Sequence, residues 1–269
     1  MMSGGDAVTH VETRNEAAIR DRLVERGRAL FDARKEPIRF TDDENANTLL
    51  NDIVGCPHAF VLGCMMHVRE KAERAWLVPY RISQRFGGFT IEMLRQLSLP
   101  DMKRLMKEPD RIHRMPDRMA QRLHSGVQHI VARYAGDASR IWIDRPSSAE
   151  VVYRFREFYG VGPKIASMAA NIIAGLFKIE LTDHYSIDIS ADVHVLRVFG
   201  RLGLSEPDAT TEQIVYKARA LHPQFPGLID LPCWEIGRTW CKPTSPICNE
   251  CYMSDLCAFA TSGANSRRS

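Results

Sequence analysis

Long apolar runs are missing from this chain. No stretch of its 269 residues approaches the roughly eighteen consecutive apolar side chains of a membrane-spanning helix. The opening residues Met1-Met2-Ser3-Gly4-Gly5-Asp6 hold no basic segment leading into an apolar one, so secretion and membrane insertion are not expected. Alternation of apolar and polar residues is nearly absent as well. The one strand candidate is the short run from Leu176 to Ile189. Internal repeats and low-complexity tracts are lacking, which removes solenoid and fibrous classes. Charge of either sign is nearly balanced, at net +3, a value compatible with a polyanionic partner and diagnostic of none. With seven cysteines and no secretory signal, the chain is not a disulfide framework.

What is present is the composition of a soluble globular protein, with 45% hydrophobic and 26% charged residues. Residues 1 to 12 read as untethered. Helical spacing of apolar residues follows from Glu12 to Lys35 through Ile19, Leu23 and Phe31, and Pro37 ends it. After Thr41-Asp42-Asp43 the same period returns through Leu49, Leu50 and Ile53. It continues from His58 to Ala72, from Trp76 to Phe86, and in the methionine-rich stripes around Met102, Met106 and Met119, which read as core filler. The expected architecture is all-α, a bundle of about ten helices.

The richest chemistry stands near the end. Cys241, Cys248, Cys251 and Cys257 follow the spacing C-x6-C-x2-C-x5-C, with Pro243, Pro246 and Asn249 turning the chain between them. Four thiolates in one loop suit an iron-sulfur cluster or a structural zinc. Zinc ribbons pair two C-x2-C knuckles across a longer gap, so a single knuckle with unequal flanks favours the cluster. Cys56, Cys64 and Cys233 read as ordinary buried thiols.

Two further segments carry function. Ser147-Ser148-Ala149-Glu150 has the form of a capping box opening a helix, and Gly160 closes that helix. Pro163 suits the first position of a second helix, running through Ile165, Met168 and Ile172. Between them Gly160-Val161-Gly162 makes a tight turn, from which the amides of the second helix point outward as a phosphate anchor. A plain packing turn is the alternative. Lys164, in that helix's first turn, lies at the positive end of the helix dipole, where a neutral amine is favoured as a nucleophile; the plainer role is a surface lysine on phosphate. Further along, Asp192 precedes a helix built on Val195, Val198, Phe199 and Leu202 and closed by Gly203, which suits an N-cap. A basic stretch with Lys103, Arg104, Lys107, Arg111, Arg114, Arg118 and Arg122 either tracks a phosphate backbone or forms a solvated helix face.

Taken together, the Cys241–Cys257 spacing, the segment Phe158-Tyr159-Gly160-Val161-Gly162-Pro163-Lys164-Ile165-Ala166 and the segment Ala191-Asp192-Val193-His194-Val195-Leu196-Arg197-Val198 resemble the endonuclease III-like helix-hairpin-helix (HhH-GPD) DNA glycosylases. The resemblance implies two helical domains flanking a cleft: a six-helix domain at 45–178 with the hairpin, and a helical domain at 179–269 with the cluster loop and the aspartate. The N-terminal extension and helix, 1–44, would pack with the latter. It implies a 4Fe-4S cluster on the four cysteines, and duplex DNA with a damaged or modified base as partner, contacted at Gly160, Val161, Gly162 and Lys164. It further implies a cytoplasmic monomer removing oxidised pyrimidines by default, with mismatched uracil or thymine as alternatives. Lys164 would be the nucleophile of a glycosylase with lyase activity, and Asp192 its charged partner. In a monofunctional enzyme Asp192 would activate water instead; a non-catalytic iron-sulfur DNA-binding module is the reading from another class. Two departures stand out: an insertion over 177–188 that brings a second carboxylate, Asp188, and an apolar Gly63-Cys64-Met65-Met66-His67 where the family has a polar gap-filling residue.

Overall fold

The computed structural model describes residues 13–262, and all regular structure among them is helical. The untethered segment expected over residues 1 to 12 lies outside the described residues. In chain order the α-helices are α1 (Arg14–Asp32), α2 (Glu44–Asn51), α3 (Pro57–Cys64), α4 (Ala72–Phe86), α5 (Ile91–Leu94), α6 (Leu99–Lys107) and α7 (Pro116–Tyr134). They continue as α8 (Ser148–Arg156), α9 (Pro163–Asn171), α10 (Val193–Leu202), α11 (Thr211–Leu221), α12 (Asp230–Thr239) and α13 (Ala258–Thr261). No described helix is long and apolar enough to cross a membrane.

Local chemistry sets the helix ends. Asp43 caps α2 by accepting from Ala46 N at 3.0 Å, and Ser147 caps α8 by accepting from Glu150 N at 3.2 Å. Glu150 does not complete the box; its carboxylate pairs with Arg154 at 2.9 Å instead. The helix expected from His58 to Ala72 stops at Cys64. All eight residues of α3 are buried, as suits a helix apolar on every side. The chain then leaves through Met65 and Met66 and takes a left-handed turn at Arg69 (φ 51°) before α4.

Contacts divide the chain into two compact units. The first comprises the described residues within Met1–Leu30, Ala191–Pro223 and Leu228–Ser269; the second comprises Phe31–Ser190 and Gln224–Gly227. The boundaries expected from the sequence lie at 44 and 178. Residues 31–44 fall with the second unit because Phe40 sits in its core, its ring 4.5 Å from Trp76 and 6.2 Å from Phe177. Phe60 completes that core, stacked on Trp76 and edge-on to Phe177 at 5.0 Å.

The segment Leu176–Ile189 is not a strand. A π-helical turn over Ile172–Leu176 extends α9, and Lys178 then adopts φ 58°. Phe177, Leu181, Ile187 and Ile189 point inward, but their backbone bonds are scattered: Ile179 N donates to Ile173 O, Thr182 N to Pro146 O, and Gly227 N to Ile187 O. Among the described residues no ladder partner exists for them. The insertion is instead pinned to the start of α8, where Ser148 Oγ donates to Asp183 and accepts from Ser186 N at 3.0 Å.

In the first unit α10 packs on α12. Gly237 permits the approach, since a Cβ there would stand 2.7 Å from His194 Cβ. α1 is tied to α12 by Arg26 with Glu235, and to the segment before α13 by Arg22 with Asp255 and by Arg22 Nη1 donating to Tyr252 O at 3.0 Å.

Candidate active site

The hairpin lies wholly in the second unit. Val151, Phe155 and Phe158 hold α8 down, while Tyr159 is 53% exposed. Gly160 takes φ 78°, a left-handed conformation that glycine adopts without steric cost. Gly162 is different. At φ −91° and ψ 175° it is ordinary extended backbone, and a Cβ there would meet nothing within 4 Å. The turn therefore needs glycine at 160 for its shape, and at 162 glycine keeps the outer face clear. α9 starts without a side-chain cap, so its first amides lack the partner that Ser, Thr or Asp would supply. Lys164, in the first turn of α9, is exposed beside this face.

No single residue of Gly63–His67 stands out in the sequence, yet His67 belongs to the surroundings of Lys164. Its ring stands edge-on to Trp76 at 4.4 Å, and Nε2 is shut off from solvent without a hydrogen-bond partner among the described residues. Burial, then the charge of Lys164, then His113, push its pKa down to about 3. The imidazole is neutral at physiological pH. The signal was a histidine at the end of an apolar run, a pattern more common in cores than in sites.

The aspartate and the cysteines lie in the first unit. Asp192 caps α10: Oδ1 accepts from His194 N at 2.8 Å and from Val195 N at 3.0 Å. Oδ2 takes no part in the cap. Two arginines one turn apart then join this helix to the cysteine loop. Arg197 donates to Cys241 O at 2.7 Å and to Gly237 O at 2.9 Å. Arg201 donates to Cys241 Sγ at 3.3 Å, Lys242 O at 2.7 Å and Pro243 O at 2.9 Å, and its own carbonyl accepts from Cys257 Sγ at 3.2 Å.

Cys241, Cys248, Cys251 and Cys257 line one cavity, walled by Val198, Leu202, Ile236, Met253 and Phe259. All are unpaired and partly exposed. Burial and the neighbouring thiols push the Cys248 and Cys251 pKa values up, and the Arg201 guanidinium opposes this at Cys248. Among the described residues no three His, Cys, Asp or Glu side chains are drawn together closely enough to hold one metal ion. The donor set fits a group that accepts four thiolates, takes up their charge and sits against an apolar wall. Of the remaining cysteines, Cys64 and Cys233 are buried, and Cys56 is half-buried with Sγ 3.4 Å from His58 Nε2.

The structure thus brings the four cysteines around one cavity and sets Gly160, Val161, Gly162 and Lys164 on one turn. Lys164 belongs to the second unit and Asp192 to the first. A separate cavity of about 950 Å3 in the second unit, lined by Cys56, His58, Glu92, Asp137 and Trp142 among others, contains none of the expected site residues.

The profile of the HhH-GPD superfamily base excision DNA repair proteins matches residues 62–224. That span holds the hairpin, Lys164 and Asp192 and ends before the cysteines. Over 143 residues the chain is 29% identical to endonuclease III of Thermotoga maritima, an alignment covering 50% of this chain and 60% of that relative's length. Among solved structures it is similar to a trapped endonuclease III–DNA covalent intermediate in an estranged-adenine complex, with TM-score 0.59 at 18% identity over 92% of this chain and 98% of that one. It is also similar to a thermostable thymine-DNA glycosylase, with TM-score 0.58 at 16% identity over 90% and 97%. At these identities the structural likeness is one of fold.

Proposed function

The chain belongs to the HhH-GPD superfamily of base excision DNA repair proteins, and from that membership we propose that it is a DNA glycosylase with lyase activity. Its substrate is duplex DNA carrying a damaged or modified base, oxidised pyrimidines first, and it acts as a monomer inside the cell. The observation that carries this reading is Lys164: an exposed amine in the first turn of α9, beside a turn left clear at Gly162.

In the reaction so inferred, the target nucleotide leaves the stack, at a cost of a few kcal/mol that is lowest for damaged or mispaired bases. Lys164 Nζ attacks the sugar anomeric carbon as the bond to the base breaks, and the base departs with the bonding pair and takes up a proton. Nitrogen loses a proton, and its lone pair forms the C=N bond as the bond from the anomeric carbon to the ring oxygen breaks. That oxygen takes up a proton, leaving the open-chain Schiff base. Removal of the neighbouring 2′ proton then expels the 3′ phosphate by β-elimination, and water returns the lysine. The role assigned to Asp192 is electrostatic: its carboxylate stabilises the positive charge that develops on the sugar. The trapped intermediate of endonuclease III supports this reading as a fold-level analogy.

The test is a screen of duplexes, each with one defined lesion, scored for base release and for strand cleavage without added alkali. Cleavage at one class of lesion is the expected result. Base release with the strand intact would assign the chemistry to water activated by Asp192, and no release from any lesion would leave a DNA-binding module.

For the four cysteines we propose a 4Fe-4S cluster held by Cys241, Cys248, Cys251 and Cys257. When bound it supplies a cross-link, since cleavage of a glycosidic bond transfers no net electrons. The chain's own residues do the rest: Arg197 and Arg201 join the loop to the helix that Asp192 caps. Purified protein is expected to be yellow-brown, with about four iron and four sulfide per chain. Zinc as the sole stoichiometric metal in anaerobically prepared protein would overturn this.

A further inference from the structure

Arg122 differs from every other cation of the basic stretch. Arg104 is paired with Asp101, Lys107 with Asp117 at 2.7 Å, and Arg111, Arg114 and Arg118 are exposed. Arg122, on α7, is only 5% exposed, and no carboxylate among the described residues pairs with it. Its Nη1 is closed off from solvent without a hydrogen-bond partner. Burial, and after it the charge of Arg118, disfavour the protonated guanidinium. An unpaired cation in such surroundings is costly to the fold.

Its location gives that cost a use. The guanidinium lies directly beneath the hairpin: a Cβ built on Gly160 would stand 2.6 Å from Cζ and Nε and 2.7 Å from Nη2. Glycine at 160 therefore serves twice, for its positive φ and for the room it leaves the guanidinium. On the outer side of the same turn, α9 begins uncapped and the space before Gly162 is clear. A buried cation below and free amides above make a field of one sign, with little water between to screen it.

We propose that Arg122 is the built-in counter-charge of an oxyanion site on the hairpin turn, holding one phosphodiester of nucleic acid by acting through the Gly160 backbone. The nucleic-acid part rests on the DNA reading above; the oxyanion part does not. Arg122 acts through the turn and is a positioning residue.

The experiment compares the full chain with Arg122→Met, which keeps apolar length and removes the charge, and with Arg122→Lys, which keeps the charge. Melting is followed with and without inorganic phosphate or sulfate, and binding of an undamaged duplex is followed by fluorescence anisotropy across a salt series. Wild type is expected to melt higher with phosphate. Arg122→Met should lose that rise, melt no lower than wild type in phosphate-free buffer, and bind duplex roughly tenfold more weakly, with a salt slope smaller by about one. Arg122→Lys should recover part of each effect. A merely structural arginine would give the opposite pattern, lower melting with an unchanged salt slope, and would overturn the proposal. Wild-type melting insensitive to phosphate and sulfate would overturn it too. If wild type binds no duplex yet shows the phosphate shift that Arg122→Met loses, the DNA reading fails and the oxyanion site stands. Should Arg122→Met not fold, Arg122→Gln carries the same comparison.

Discussion

Lys164→Gln is expected to form no borohydride-stable adduct with duplex carrying a lesion, while the parent protein becomes covalently linked to it. Only an amine can make the Schiff base that borohydride reduces, and an amide nitrogen cannot. The fold has little reason to respond, because the side chain is exposed. Glutamine matches lysine in helix propensity, and a surface exchange of this kind stays within about 0.5 kcal/mol. Strand cleavage should fall by on the order of a thousandfold or more, the scale of losing a covalent nucleophile. Binding of undamaged duplex loses one charge beside the turn and should weaken by about tenfold at most. Denaturing gels after borohydride treatment read the adduct, and anisotropy reads the binding. Trapping that survives the substitution would move the nucleophile elsewhere. Base release that persists without strand cleavage would return the chemistry to water.

How much of this was legible beforehand depends on how local the deciding physics is. Pro163 at the start of α9, Ser147 capping α8, Gly203 at φ 83° closing α10 and the buried face of Val195, Val198, Phe199 and Leu202 all follow from one helical turn or less. That Cys241, Cys248, Cys251 and Cys257 line one cavity was legible because seventeen residues of chain keep them close in sequence. The insertion misled for an identifiable reason: Ile179 with Leu181, and Ile187 with Ile189, repeat at two residues, so they mimic a strand that has no ladder partner among the described residues. Arg122 was hidden by its company. Along α7 it follows Arg118 by one turn and reads as the same outward stripe, and only the tertiary approach of Gly160 turns it inward. The return of Gln224–Gly227 to the second unit is equally non-local, since Gly227 N donates to Ile187 O across forty residues of sequence.

Asp192→Asn separates the cap that Asp192 forms on α10 from the electrostatic role proposed for the same side chain. As a cap, the residue needs only an oxygen able to accept from His194 N and Val195 N, now 2.8 and 3.0 Å away. Asparagine supplies one, and the two residues rank alike as caps. What asparagine lacks is the charge. Its loss at the N-terminus of α10 costs stability about 0.3 to 1 kcal/mol through the helix dipole, so melting should move by only a few degrees. Base release, however, should slow by roughly two orders of magnitude or more, the scale of removing one positioned electrostatic or acid-base group. Asp192→Ala is the control for the cap: it should lose the same rate and, in addition, about 1 kcal/mol of stability. Single-turnover base release and thermal melting on the three proteins decide the matter. If Asp192 is only a cap, Asp192→Asn will release base as fast as the parent and Asp192→Ala alone will suffer, in melting rather than in rate.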